Sequence, residues 1–265
     1  MQEKSIAFQD KQGRKIVGTL LIPEGKGPFP AVIVCHGFKG NRNEKHIKAI
    51  AEAISDKGLV TLRADFTKEP GESSLPFADM TVSYELEVLD QAVNYLKTLP
   101  EVNQEKIGLT GHSLGGLLVA WYTAAHPEIK AAAPLSGVYS FPRLLERRRG
   151  EGITRGLKEE AEEKGFVYVY SKSQKRDLKI RDAFFQDAQK YEMDEVIDSL
   201  VCPILVVAGT ADEAVTIDHA QHYYDRAFSK EKQLKIIKGA DHSYTKEGNL
   251  DEVTEAVSNW FAKTL

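Results

Sequence analysis

Residues 106–116 read KIGLTGHSLGG, and the fold turns on this stretch. Its first half alternates as a strand does, and the run LLVAWYTAAH at 117–126 has helical character. Between them Ser113 sits in Gly111-His112-Ser113-Leu114-Gly115. A serine at a sharp strand-to-helix turn is forced into a strained backbone, and glycines two residues to either side remove side chains that would clash. Such a turn exposes the hydroxyl and aims the N-terminus of the next helix at whatever the oxygen attacks. Taken alone the pentapeptide also fits a helix-capping serine. The strand before it and the helix after it favour a nucleophile.

Outward from that turn, strands and helices alternate. Ser5 to Phe8 and Lys15 to Ile22 read as an antiparallel hairpin through Asp10-Lys11-Gln12-Gly13. The run AVIVC at 31–35 is apolar on both faces, as a strand between two helix layers must be. Asn43 to Lys57 reads as a helix, LVTLRADF (59–66) as a strand, and Thr81 to Thr98 as a long amphipathic helix. Past the turn, IKAAAPLSG (129–137) is the next strand.

From Val138 to Leu200 the rhythm breaks. This segment is charge-rich, with helical stretches at FPRLLERRR (141–149), GLKEEAEEK (156–164) and RDAFFQDAQKY (181–191), and one short strand, FVYVY (166–170). The rhythm then resumes with CPILVVAG (202–209), the helix Ile217 to Ala227, QLKIIKG (233–239) and the helix Leu250 to Lys263. The pattern predicts an α/β fold with a mostly parallel eight-stranded sheet flanked by helices. Its core spans 1–137 and 201–265, interrupted by an inserted cap subdomain at 138–200.

A chain of 265 residues can bury a large core without disulfides. Its net charge of −4 gives no electrostatic reason to expect nucleic acid or an anionic membrane as partner. Lys and Arg are dispersed apart from Arg147-Arg148-Arg149, which Glu146 and Glu151 flank and which reads as a solvated helix face. Cys35 and Cys202 lie in apolar runs and read as buried free thiols suited to a reducing compartment. The opening MQEKSIAFQD lacks the apolar core of a signal peptide, and the longest apolar runs are too short to span a bilayer. The expectation is a cytoplasmic protein.

Ligands of open α/β sheets sit at the carboxyl ends of the strands. Those ends carry His36-Gly37-Phe38, Asp65, Ser113, Thr210-Ala211-Asp212 and Ala240-Asp241-His242. A serine, an acid and a histidine thus fall at three strand ends in the order Ser, Asp, His. A serine hydroxyl needs a base to take its proton. Histidine titrates near neutrality, and its ring needs a carboxylate to fix the tautomer. Ser113 is therefore the candidate nucleophile, His242 the general base and acid, and Asp212 the orienting acid.

Glu213 is a second candidate acid. Asp241 and Asp65 read as carboxylates holding their own turns, and His36 as an anchor of its loop. His46, His126, His219 and His222 fall on helices and read as surface or packing residues. Acyl transfer also needs donors for the developing oxyanion. The Leu114 N–H supplies one, and the Phe38 N–H is the candidate for the other, in a loop that Gly37 lets come close.

His36-Gly37, the turn at Ser113, Gly209-Thr210-Ala211-Asp212 and Gly239-Ala240-Asp241-His242 resemble the α/β-hydrolase superfamily over nearly the whole chain. Within it the chain looks most like bacterial carboxylesterases of the cinnamoyl and feruloyl esterase type, which carry an HGF-type oxyanion loop, a GHS-x-GG elbow and an inserted cap. The resemblance implies the triad Ser113, Asp212 and His242 with Phe38 and Leu114 as oxyanion donors. The turn after Asp65, TKEPGES, lacks the glycine pattern of many relatives, and the insertion matches the cap of no one subgroup. The substrate is therefore the least determined feature.

By the same resemblance, a dehalogenase of this fold would carry Asp at position 113 and a dienelactone hydrolase usually Cys. Serine favours esters, thioesters or amides. Peptidases of this fold commonly carry a large N-terminal propeller for which this chain has no room, so an esterase working through an acyl-enzyme is preferred, with a small acyl-peptidase or thioesterase as the alternative. A non-catalytic binding protein on the same fold is the alternative of another class. No metal motif or phosphate loop is present, so no metal or cofactor is expected. The expected partner is a small-molecule ester, and a homodimer is left open.

Tyr139, Phe141, Phe166, Tyr168, Tyr170, Phe184 and Phe185 concentrate aromatic rings in the insertion. They either form its own small core or line an apolar acyl pocket, and Tyr139, Phe141, Phe166 and Tyr168 are the candidate substrate contacts.

Overall fold

A computed structural model describes residues 1–145, 153–171 and 174–265. Arg147-Arg148-Arg149, with Glu146 and Glu151, lies outside the described residues, as does the second half of the helical stretch at 141–149.

Eight strands form one sheet: β1 (Gln2–Gln9), β2 (Lys15–Ile22), β3 (Phe29–Cys35), β4 (Val60–Ala64), β5 (Val102–His112), β6 (Ala131–Leu135), β9 (Ile204–Gly209) and β10 (Lys232–Ile237). Their order across the sheet is β1-β2-β4-β3-β5-β6-β9-β10. β2 runs antiparallel to both β1 and β4, and every other pairing is parallel.

The helices cover both faces. Helix α1 (Lys45–Asp56) and α8 (Asn249–Thr264) pack together on one face, where Val32, Val34, Ala133 and Val207 meet Ile47, Ile50, Val257 and Phe261. On the other face lie α2 (Val82–Lys97), α3 (Leu114–Ala125) and α7 (Ile217–Arg226), over Ile33, Leu109, Val206 and Ala208. Burial on both faces explains why β3 has no polar residue between Ala31 and Cys35. Helix α2 starts where Thr81 accepts the Tyr84 N–H, the ordinary N-cap of a threonine.

The chain leaves the sheet after β6 and returns at β9, and the segment between holds α4 (Phe141–Leu145), α5 (Arg155–Lys164), β7 (Phe166–Ser171), β8 (Arg176–Arg181) and α6 (Asp182–Ala188). The three helices and β7 are expected from the sequence and β8 is not, yet β7 pairs with β8 as an antiparallel hairpin. Val167, Val169, Leu178 and Ile180 point inward, and Tyr168 and Tyr170 point outward. Asp187 accepts from both the N–H and the hydroxyl of Ser83 and so docks α6 onto α2. The segment has no separate core: Tyr139, Phe141, Phe184 and Phe185 are buried in the same apolar cluster as the sheet face beneath. Among the described residues no helix is long and apolar enough to cross a membrane.

Candidate active site

β5 ends at His112 and α3 begins at Leu114, so Ser113 alone makes the turn, at φ 58° and ψ −117°. This left-handed backbone is strained for serine, and strain of this kind collects where a side chain must be presented. The neighbourhood over-determines it: Ser113 donates its N–H to Leu135 O, and Ser113 O accepts from Gly116 and Val138. At Gly111 a side chain is impossible, since a Cβ there would lie 2.2 Å from Gly115 O. Ser136 (φ 42°) and Tyr244 (φ 57°) share the left-handed conformation in loops that meet at this turn, their hydroxyls 3.0 Å apart.

The three strand-end residues come together. Ser113 Oγ lies 3.0 Å from His242 Nε2, and His242 Nδ1 lies 2.8 Å from Asp212 Oδ2. The Asp212 side chain has no exposure, and its Oδ1 accepts the Ala214 and Val215 N–H at 2.9 and 2.8 Å. A carboxylate that only accepts leaves Nδ1 of His242 as donor, which frees Nε2 to accept from the serine. Glu213, the rival acid, is exposed, and Asp241 binds the Thr245 N–H of its own turn.

The loop after β3 closes over the serine. A Cβ on Gly37 would sit 2.9 Å from Ser113 Cβ and 3.0 Å from His112 O, so only glycine permits the approach. Neither the Phe38 nor the Leu114 N–H donates to another group of the described chain. The Phe38 ring is wedged between Phe77 and Phe184, with centroids 5.6 and 5.3 Å away. His36 ties the loop down from below: its Nε2 accepts the Phe66 N–H, so its Nδ1–H donates to Gly37 O. Burial holds that imidazole below its ordinary pKa and neutral. Asp65 accepts from the Arg42 and Glu72 N–H groups and pairs with the Arg42 guanidinium, which fixes the adjoining loops.

Above the serine opens a cavity of about 560 Å³. Leu144, Ile153, Leu157, Val138, Val169 and Val215 give it apolar walls, and Tyr168 and Tyr170 join them from the hairpin. Of the four expected substrate contacts, only Tyr168 reaches this cavity. Tyr139 is fully buried elsewhere, edge-on to Tyr223, with its hydroxyl donated to Asp194. Phe141 is fully buried against Phe184. Phe166 packs on Tyr168 with Lys179 Nζ 4.0 Å above its ring. Packing against α7 and α6 holds Tyr139 and Phe141 away from the cavity, and Phe166, on the same face of β7 as Tyr168, lies outside its lining.

Among the polar residues of the cavity that sequence reading missed are Glu44 and His46. Glu44, ahead of α1, lines it, and burial raises its carboxyl to about 7. His46 also lines it, taking the packing rather than the surface alternative, with Nε2 3.2 Å from His112 Nδ1. Its spacing from Ile50 and Ile54, on the apolar stripe of α1, is the signal that would have found it. The other helix histidines pack: His126 stacks on Tyr122, His219 accepts the Tyr139 N–H, and His222 lies beside Tyr139. Among the described residues no cluster of His, Cys, Asp and Glu could hold a metal ion.

The profile of the dienelactone hydrolase family matches residues 16–152, just over half of the 265-residue chain. Among solved structures, Est1E of Butyrivibrio proteoclasticus with ferulic acid bound is similar, with a TM-score of 0.84 and 27% identity over 98% of each chain. Esterase EstD of Thermotoga maritima is 26% identical, 93% of this chain aligning with 65% of that protein. An uncharacterized 31.7 kDa protein of Escherichia coli is 25% identical over 96% of this chain and 98% of its own length. The match holds with serine, not cysteine, at position 113. From the profile, the sheet topology and the two esterases, the chain belongs to the dienelactone hydrolase family and is an ester-hydrolysing enzyme on the α/β-hydrolase fold.

Proposed function

We propose that the chain is a carboxylesterase that works through Ser113, His242 and Asp212 and an acyl-enzyme, on esters with small to medium or aryl, cinnamoyl-like acyl groups. The reading rests on the hydrogen-bonded line from Ser113 Oγ through His242 to the buried Asp212, at 3.0 and 2.8 Å, opening into the cavity. Ser113 Oγ attacks the ester carbonyl carbon while His242 Nε2 takes its proton. The carbonyl oxygen becomes an oxyanion facing the Phe38 and Leu114 N–H groups, each worth about 3 kcal/mol in such a position. Collapse breaks the bond to the alcohol, which leaves with the proton from His242. Water then attacks the acyl-enzyme, again giving its proton to His242, and the acid departs as Ser113 regains its hydrogen.

The aryl preference draws on the apolar walls, on the Tyr168 ring, and on the ferulic acid named with Est1E. A fluorophosphonate probe should label the wild type and not Ser113→Ala; an unlabelled wild type would sink the esterase reading. Matched acetyl, octanoyl and cinnamoyl esters test the pocket, and equal kcat/KM across the three would refute a shaped acyl site.

A further inference from the structure

Nucleophile and base come from strands that do not touch. In the sheet, β5 and β10 are separated by β6 and β9. The 3.0 Å contact between Ser113 and His242 therefore depends on how two distant loops are held against each other. A direct bridge exists. His112, the residue before the nucleophile, places its Nε2 2.6 Å from the main-chain oxygen of His242. A carbonyl oxygen can only accept, so this Nε2 carries the hydrogen. His112 Nδ1 is then the acceptor, and the only hydrogen it can meet at 3.2 Å is the one on His46 Nε2.

We infer that His112 and His46 are positioning residues: together they grip the backbone of His242 and set its ring against Ser113, an assignment that rests on the esterase reading above. His46 acts by fixing the tautomer of His112, since with the hydrogen moved to Nδ1 a lone pair would face the His242 oxygen. The three rings stand in file, His46 to His112 at 4.5 Å between centroids and His112 to His242 at 4.6 Å.

Such a chain helps only if its links stay uncharged, because a second imidazolium beside His242 would oppose protonation of the base. Burial supplies this. It lowers His46 to about 4, with His242 and His36 adding to the effect, and it puts His112 well below the ordinary range. The acid nearest the pair is Glu44, whose Oε2 lies 3.9 Å from His46 Nε2. The Tyr244 hydroxyl against Ser136 steadies the same loop, with the Tyr244 ring edge-on to His112.

His46→Gln keeps an N–H close to the position of Nε2, and His46→Leu removes it. With a p-nitrophenyl butyrate assay, His46→Leu should lower kcat about tenfold or more, as sub-ångström misplacement of a base does, with KM changed less than about threefold. His46→Gln should recover most of the loss. The rate of fluorophosphonate labelling should follow the same order. Wild-type kcat in a folded His46→Leu, or Gln as impaired as Leu at equal melting temperature, would overturn the inference.

If the leucine variant does not fold, imidazole nitrogen NMR of the wild type decides. His112 should hold its Nε2–H tautomer, without titrating, from pH 5 to 8; an Nδ1–H tautomer or a titration there would overturn it. An unlabelled wild type would instead remove the esterase reading, a result distinct from both.

Discussion

Asp212 divides its two carboxylate oxygens between His242 and its own loop: Oδ2 takes Nδ1 of the ring at 2.8 Å, and Oδ1 takes the Ala214 and Val215 N–H groups. One oxygen is thus held rigid by the backbone so that the other can hold the His242 ring, the base of the proposed mechanism. Asp212→Asn keeps the shape but removes the charge that steadies a protonated His242. Its kcat on p-nitrophenyl butyrate at neutral pH should fall by about three to four orders of magnitude, with only a small change in melting temperature.

Ser113 occupies a backbone region that glycine enters without penalty, at φ 58°. Both Ser113→Ala and Ser113→Gly should be inactive, but they should differ in stability. Calorimetry should find the glycine variant more stable than the alanine variant by about 1 kcal/mol, the size of the strain released. An alanine variant as stable as the glycine one would mean that the turn is not strained.

Gly37 leaves no room for a side chain beside Ser113. In Gly37→Ala the added methyl, 2.9 Å from Ser113 Cβ and 3.0 Å from His112 O, must push the loop outward and carry the Phe38 N–H away from the oxyanion. Since one such donor is worth about 3 kcal/mol, kcat should drop about a hundredfold. Circular dichroism should find the fold intact.

Glu44 holds its proton more tightly in the folded chain than in the unfolded one, because burial raises its carboxyl from 4.5 to about 7. Between those values the native state binds more protons, so this group's contribution to stability falls as pH rises and levels off above about pH 7. Glu44→Gln removes the dependence. The melting temperature of the variant minus that of the wild type should therefore climb from pH 4.5 to about 7 and then stay flat.

Much of this architecture is legible in the sequence because the parallel sheet writes its rule twice. Apolar runs such as AVIVC mark strands covered on both faces, and the residue just past each strand marks the site. Ser113, Asp212 and His242 are found this way, and the geometry brings them together. Where neighbours set the outcome, local pattern fails. β8, Arg-Asp-Leu-Lys-Ile-Arg, offers only Leu178 and Ile180 as inward residues among charges, and its strand character comes from pairing with β7. Tyr139 and Phe141 look like pocket residues by type, but the helices they touch decide which way they face. Neither the His46 to His112 contact, 66 residues apart in the chain, nor the burial of Glu44 has a short-range signature.

The separation of 129 residues between Ser113 and His242 has a consequence for the enzyme's birth. The strained turn that presents Ser113 follows a strand made early, whereas Asp212 and His242 arrive after β9 and β10, when the whole insertion has been synthesised. Until β9 has zipped alongside β6 and β10 alongside β9, Ser113 has no His242 beside it, and on the proposed mechanism it is an ordinary alcohol with nothing to remove its proton. On the proposed mechanism, ester hydrolysis by a growing or refolding chain is therefore a timer: turnover begins only when β9 and β10 have docked, and its onset reports that event more directly than secondary structure does.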